Sequence, residues 1–220
     1  MALSDDLRSC VGGSWEKVAT HPFVTKLGDN TLDPAVFQIY FDQDYLFLRD
    51  WAILLALATA KAPDFDASRH LVEFLHLGLG GEEGLFREAF RQRGLSPQDV
   101  ANLEYRPTTL SYSGYLRNIA YTGDYIDVIA TLLAVEWPYL DWAQRLDNAG
   151  KKPANHFYQT WIDLHTSPGM AGFVGWLRGV VDDAELTQSG RARLRRIFTE
   201  VLRYERLFWE MAYGDEQWPK

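Results

Sequence analysis

DPAVFQIYFDQDYLFLRDWAILLALATAK, residues 33–61, is the stretch that decides the fold class. Asp33 is a residue type that caps helix N-termini, and Pro34 suits the first helical position, where no backbone N–H is needed. Apolar and aromatic residues then recur at helical spacing as far as Lys61, shortly before Pro63. The pattern predicts one long helix from Pro34 to about Lys61.

The other segments show the same helical period, and none shows the sustained two-residue alternation of a strand. We predict further helices starting near Ser4, in HPFVTKL before Gly28, from Asp66 to Arg93 with a kink or short break at Gly78, Gly80 and Gly81, from Thr109 to Ile119 after Pro107, from the Asp124 cap to about Leu146, over His156–His165 and Met170–Val181, and from about Ser189 to Tyr213. The expected fold is an all-α bundle of roughly seven to nine helices, in a single domain over residues 1–220.

The composition bounds the class of protein. With 220 residues, of which 47% are hydrophobic, the chain is long enough for one large domain with its own core. The net charge is −8, and the arginines at 191, 193, 195 and 196 fit a solvated helix face better than a surface that follows phosphates. We therefore expect no nucleic-acid partner.

Cysteine content and hydropathy favour a soluble, cytoplasmic protein. Cys10 is the only cysteine, so no intramolecular disulfide can form. The N-terminus MALSDDLRSC lacks the basic start and apolar run of a signal peptide. The longest apolar run, residues 51–60, is about half of the roughly 18 to 20 residues that a spanning helix needs. No membrane partner is expected.

One carboxylate stands out in TLLAVEWPYLDWAQR, residues 131–145. Glu136 lies inside an otherwise apolar helical stretch, where an ionised carboxylate is costly unless it is paired. Pro138 follows, and it cannot donate to the carbonyl of Ala134. This combination predicts either a ligand-facing notch or a structural kink in which an arginine pairs with Glu136.

Four predicted helices each carry an acid or a phenol beside an aromatic residue at a spacing of three or four. Each pair alone is ordinary, but the four together favour a site for a planar nitrogen heterocycle. The groups are Asp44 with Tyr40 and Phe47, Tyr112 with Tyr115, Glu136 with Tyr139, and Glu205 with Phe208 and Trp209.

These segments resemble the TenA (thiaminase II) family from about His21 to Trp218. The resemblance rests on HPFVTKLGDNTLDPAVFQIYFDQDYLFL, TLSYSGYL, LLAVEWPYLDWA and RYERLFWEMAYGDEQW, in that order. It implies a haem-oxygenase-like fold, and an activity that hydrolyses a C–N bond in pyrimidine fragments of thiamin. It also implies a small-molecule pyrimidine substrate and a homo-oligomer such as a tetramer. We expect no cofactor.

The resemblance implies roles for individual residues. Asp44 matches the acid that binds the aminopyrimidine, and Glu205 matches an acid that acts in proton transfer. Tyr112 matches a phenol beside the ring, Phe208 an aromatic wall, and Tyr139 a retained pocket tyrosine.

Three departures change the expected chemistry. Val135 stands where the better-known branch of the family has a nucleophilic cysteine, and Glu136 follows it, as in a branch where glutamate replaces that cysteine. Phe47 and His165 replace two pocket tyrosines. Without the thiol, we expect hydrolysis of an amino- or formylaminomethyl-pyrimidine rather than of thiamin, with Glu136 and Glu205 as the catalytic pair.

Two other functions are compatible with the sequence. The protein could bind a pyrimidine or a thiamin-related ligand without turning it over, as a regulatory or binding module. It could also be a di-iron oxidase on the same fold, since Glu73 and His76 form a Glu-x-x-His pair. The second such pair that a dinuclear site ordinarily uses is missing from the sequence, which disfavours metal catalysis.

Overall fold

The computed structural model describes residues 1–219, and these fold into twelve α-helices and one π-helical turn without any strand. The helices are α1 (Leu3–Cys10), α2 (Gly13–Ala19), α3 (Pro22–Gly28), α4 (Pro34–Lys61), α5 (Phe65–Leu77), α6 (Glu83–Gln92), α7 (Pro97–Ala101), α8 (Pro107–Thr122), α9 (Tyr125–Asn148), α10 (His156–His165), α11 (Pro168–Asp182) and α12 (Gln188–Tyr213), with the π-helical turn Gly78–Glu82 between α5 and α6. The all-α fold class is confirmed.

Helix α4 begins and ends where the sequence predicts. The Asp33 side chain accepts a hydrogen bond from the backbone N–H of Ala35 at 2.9 Å, and Pro34 occupies the first turn. The helix then continues to Lys61. It packs against α8 and α5, and its buried face carries Asp44 toward the interior.

Helix α9 is the centre of the bundle. It packs against α4, α10, α11 and α12, and every residue of 127–140 is buried. Asp124 and Asp127 form a capping box at its start. The helix runs without interruption through Pro138. Neither α9 nor any other helix within residues 1–219 is long and apolar enough to cross a membrane.

The glycine-rich segment takes a form that the sequence did not predict. Between α5 and α6 the chain neither breaks nor kinks at a single glycine; it widens into the π-helical turn Gly78–Glu82. Gly78, Gly80 and Gly81 have weak α-helical propensity, and π-helical turns occur mostly as single turns inserted between α-helical segments. The insertion turns the side chain of Glu82 toward a cavity beneath it.

The helix count was also wrong. Twelve α-helices replace the seven to nine expected, because short helices such as α2 and α7 are too brief to show a period of their own. Several helix starts moved as well, including that of α11, which begins at Pro168 rather than Met170. Asp64 rather than Asp66 caps α5, and Pro107 is the first residue of α8 rather than part of the preceding connection.

Candidate active site

A cavity of about 400 Å³ lies between α4, α8, α9, α10 and α12, beneath the π-helical turn. Its volume suits a small heterocyclic ligand. All eight residues that the sequence analysis selected line it: Asp44, Phe47, Tyr112, Glu136, Tyr139, His165, Glu205 and Phe208. The structure therefore brings the predicted set together from five helices, while the roles of these residues stay predictions.

Asp44 lines the cavity and carries an unsatisfied acceptor. Its side chain is buried, with 8% of the residue exposed, and Oδ2 has no hydrogen-bond partner among residues 1–219. Burial raises the pKa of Asp44 to about 7, although the neighbouring Tyr40 hydroxyl opposes part of the rise. A buried carboxyl oxygen without a partner is costly, so this geometry favours a ligand that supplies the missing donor.

Glu136 is held by an indole. The Nε1–H of Trp51 on α4 donates to Oε1 of Glu136 at 2.6 Å. Burial raises the pKa of Glu136 to about 7; the Trp51 bond lowers it, and the charge of Asp44 raises it. The partner is therefore not an arginine, and the alternative of a purely structural kink with an arginine pair is wrong. A carboxyl group with this pKa can change its charge near neutral pH.

The surroundings of Glu205 raise its pKa more than those of Glu136 do. Only 2% of the residue is exposed, and the Tyr112 hydroxyl donates to its Oε1. Burial raises the pKa of Glu205 well above its ordinary range, the Tyr112 bond opposes this, and the charges of Glu136 and Asp44 add to it. Glu205 is consequently the carboxyl group best suited to hold a proton.

Aromatic rings and neutral phenols form the walls. The hydroxyl groups of Tyr40 and Tyr139 lie 3.1 Å apart, and burial raises the pKa of both far above the ordinary value. The Phe47 ring lies 4.9 Å from that of Tyr112 and 5.5 Å from that of Phe208, measured between centroids. Such a wall can stack on a flat heterocycle.

His165 is a neutral acceptor in this cavity. Its Nδ1 lies 2.8 Å from the carbonyl oxygen of Trp161, and a carbonyl can only accept, so Nδ1 carries the hydrogen. Burial lowers the pKa of His165 to about 4. The ring therefore carries no charge at neutral pH, and Nε2 keeps its lone pair.

The lining residues that the sequence analysis did not select include the hydrogen-bond donor Trp51 and the acid Glu82. Trp51 follows Phe47 by four positions and continues the face of Tyr40 and Asp44, so extending that face by one helical turn would have found it. Glu82 gave no such signal, because its position depends on the π-helical turn. Burial, and then the charges of Asp44 and Glu136, raise the pKa of Glu82 well above its ordinary value.

The cavity contains four carboxyl groups and no basic side chain of lysine or arginine among its described lining residues. The carboxyl groups are those of Asp44, Glu82, Glu136 and Glu205. This charge pattern favours a basic or cationic ligand.

The donor set for a di-iron site is not assembled. Glu73 is exposed on α5, and His76 is exposed at the edge of the cavity. In the part of the chain that the structure describes, no three His, Cys, Asp or Glu side chains are grouped so that they could hold a metal ion. The Glu-x-x-His pair therefore lacks the further donors that a dinuclear centre requires.

Comparison with known proteins identifies the family. Residues 10–215 match the TENA/THI-4/PQQC family. The chain belongs to this family. It is 34% identical over 206 residues to an aminopyrimidine aminohydrolase of Halalkalibacterium halodurans, an alignment that covers 93% of this chain and 92% of the relative.

Solved structures give the same family and fold. The TenA homologue of P. horikoshii OT3 superposes with a TM-score of 0.87 at 28% identity, covering 97% of this chain and 99% of the other. Heme oxygenase-1 of Synechocystis superposes with a TM-score of 0.69 at 13% identity, covering 98% of this chain and 94% of the other. The similarity to heme oxygenase-1 concerns the fold alone. It shows that this member of the TENA/THI-4/PQQC family has a haem-oxygenase-like fold.

Proposed function

We propose that this TENA/THI-4/PQQC protein is a thiamin-salvage hydrolase that cleaves a C–N bond of an amino- or formylaminomethyl-pyrimidine. The observation that carries the proposal is the meeting of Asp44, Glu136 and Glu205 in one aromatic cavity, each in a different hydrogen-bonding environment. The name of the Halalkalibacterium relative supports the same activity.

Asp44 binds the substrate in this proposal. The amino group and adjacent ring nitrogen of an aminopyrimidine form an edge that can make two hydrogen bonds to one carboxylate, provided that the ring nitrogen is protonated. Oδ2 of Asp44 is the buried acceptor without a partner. Phe47, Tyr112 and Phe208 supply the ring contacts, and Tyr139 and His165 complete the wall.

Glu136 and Glu205 divide the proton transfers. Glu136 removes a proton from water, whose oxygen bonds to the exocyclic methylene carbon of the aminomethyl substrate. The C–N bond breaks, its electron pair stays on nitrogen, and Glu205 gives that nitrogen the proton with which it leaves as ammonia. The higher pKa of Glu205 supports its assignment as the acid, and the Trp51 donor, which favours the carboxylate form, supports Glu136 as the base.

We further propose that the chain belongs to the branch of the family in which a glutamate replaces the nucleophilic cysteine of the active site. Val135 lines the cavity beside Glu136, and Cys10 is exposed on α1, outside the cavity lining. With no thiol there, a covalent thioether route has no nucleophile, and thiamin itself is a poor substrate in this proposal.

The test is product analysis with the purified protein. Ammonia and formate are measured with the aminomethyl and formylaminomethyl substrates, and thiazole release is measured with thiamin in parallel. Ammonia or formate release without thiazole release supports the proposal. Binding of these pyrimidines without any product would contradict it and favour a binding module.

We also propose that the protein is a cytoplasmic homo-oligomer. Large apolar side chains are exposed on α5 and the π-helical turn, among them Phe65 at 87% and Val72 at 50%. Burial of such side chains between subunits would remove apolar surface from water. Size-exclusion chromatography with light scattering measures the molar mass of the protein in solution. A monomer at all protein concentrations would contradict this proposal.

A further inference from the structure

Trp51 connects the π-helical turn to Glu136. Its indole ring is 6% exposed and lines the cavity, and its Nε1–H donates to Oε1 of Glu136 at 2.6 Å. An indole can only donate, so this bond is strongest when Glu136 is the carboxylate. The two residues come from different helices, α4 and α9.

The backbone at Gly78 packs directly against the six-membered ring of that indole. A Cβ atom at Gly78 would lie 2.5 Å from Cη2 and 2.8 Å from Cζ3 of Trp51, closer than any ordinary contact. Phe74, one turn earlier, packs edge-on against the same ring, with centroids 5.7 Å apart. The ring is thus confined on the side of α5 and the π-helical turn, and only glycine fits at position 78.

We propose that Trp51 is a positioning residue, which the close contact with Gly78 holds in place so that its indole N–H orients Glu136 and keeps it as a carboxylate. The inference rests on the proposed hydrolase function, in which Glu136 activates water.

Glu136 needs such a partner because it shares the cavity with other acids. The titratable groups that face the cavity with it are Asp44 on α4, His76 on α5, Glu82 on the π-helical turn, Tyr112 on α8, Tyr139 on α9, His165 on α10 and Glu205 on α12. Neighbouring carboxyl groups tend to share protons, and a base must be unprotonated to act. The Trp51 donor lowers the pKa of Glu136 and so counters the charge of Asp44, which raises it.

Trp51→Phe tests the hydrogen bond. We expect kcat/KM for the aminomethyl substrate to fall about tenfold or more at pH 7, and the acidic limb of its pH profile to move upward by about one to two pH units. Activity should recover at higher pH. Trp137→Phe is the matched control: Trp137 is also 6% exposed, but it is not a lining residue of the cavity and packs against the guanidinium groups of Arg8 and Arg178.

Gly78→Ala tests the contact that holds the indole. The added methyl group must displace the Trp51 ring, so we expect the acidic limb to move in the same direction as in Trp51→Phe. Gly84→Ala is the matched control, since nothing lies within 4 Å of a Cβ atom at Gly84. The melting temperature of every variant is measured alongside, which separates a local effect from loss of fold.

Each outcome decides the inference. An upward shift of the acidic limb in Trp51→Phe and Gly78→Ala, but in neither control, supports it. An unchanged limb with activity lowered equally at all pH values would overturn it, because Trp51 would then only fill space. A wild-type protein without activity would instead contradict the proposed function itself. The hydrogen bond can still be tested in that case, by comparing the pH at which the Glu136 carboxyl ionises in the wild type and in Trp51→Phe, measured by infrared difference spectroscopy.

Discussion

Tyr112 on α8 donates its phenolic hydrogen to Oε1 of Glu205 on α12, and both side chains are almost fully buried. The phenol occupies one carboxyl oxygen, so the proton that Glu205 retains resides on the other oxygen. Tyr112 also touches the ring wall, with its centroid 4.9 Å from that of Phe47. One residue therefore both bonds the proposed acid and forms part of the aromatic wall that we propose to contact the substrate ring.

Tyr112→Phe should keep the ring wall and lose the orientation of Glu205. We expect kcat to fall about tenfold to a hundredfold, as for a hydrogen bond to an ionisable group, while KM changes little. Steady-state kinetics measure both. Tyr115→Phe is the control, because that hydroxyl bonds Glu200 at 2.6 Å outside the cavity. Equal losses in the two variants would contradict the role of Tyr112.

Glu136→Gln should abolish most of the activity without loss of fold. The introduced amide can still accept from Trp51, but it cannot take a proton from water. Removal of one acid–base group typically lowers turnover about 10²- to 10⁴-fold. Ammonia release and circular dichroism are measured on the same preparation. Turnover equal to that of the wild type would exclude Glu136 as the base.

The same variant should be more stable than the wild type at alkaline pH. Burial raises the pKa of Glu136 from 4.5 to about 7, so the folded state resists ionisation and loses stability as the pH rises from about 4.5 through 7. Since one pKa unit corresponds to about 1.4 kcal/mol, the loss is on the order of 3 kcal/mol. The Glu136→Gln substitution removes this loss, because an amide does not ionise.

Urea unfolding at pH 5 and at pH 8 measures this difference. We expect the free energy of unfolding of Glu136→Gln, relative to wild type, to rise between the two pH values. Parallel pH dependence in the two proteins would mean that Glu136 is less buried, or better stabilised as an anion, than the structure indicates.

Asp44→Asn should weaken binding more than it affects the fold. The substitution leaves one acceptor oxygen in place of two, and the neutral amide cannot balance the charge of a protonated aminopyrimidine. The expected rise in Kd is about tenfold or more, which isothermal titration with hydroxymethyl-aminopyrimidine measures. A pyrimidine without the amino group is the control ligand. Unchanged affinity for the aminopyrimidine would place its amidine edge elsewhere.

The predictable part of the structure comes from local signals. Asp33 and Pro34 fix the start of α4, and the spacing of Asp44 and Phe47 on that helix points their side chains to one side. Such signals depend on residues within a few positions of each other. They were sufficient to select seven of the residues that line the cavity, and the family resemblance supplied His165.

The missed part depends on long-range packing. The bond between Tyr112 and Glu205 joins residues 93 positions apart, and the bond between Trp51 and Glu136 joins residues 85 apart. Glu82 reaches the cavity only because the chain widens into a π-helical turn. Spacing along the sequence carries no information about these partners.

A single turnover in water enriched in heavy oxygen tests the central claim, that Glu136 activates water for direct C–N hydrolysis. Enzyme in excess over the aminomethyl substrate is quenched after one turnover, and the hydroxymethyl product is analysed by mass spectrometry. We expect the heavy isotope in the product at the enrichment of the solvent. An unlabelled product in that first turnover would contradict the account, because its oxygen would have come from the protein, with Glu136 acting as a nucleophile.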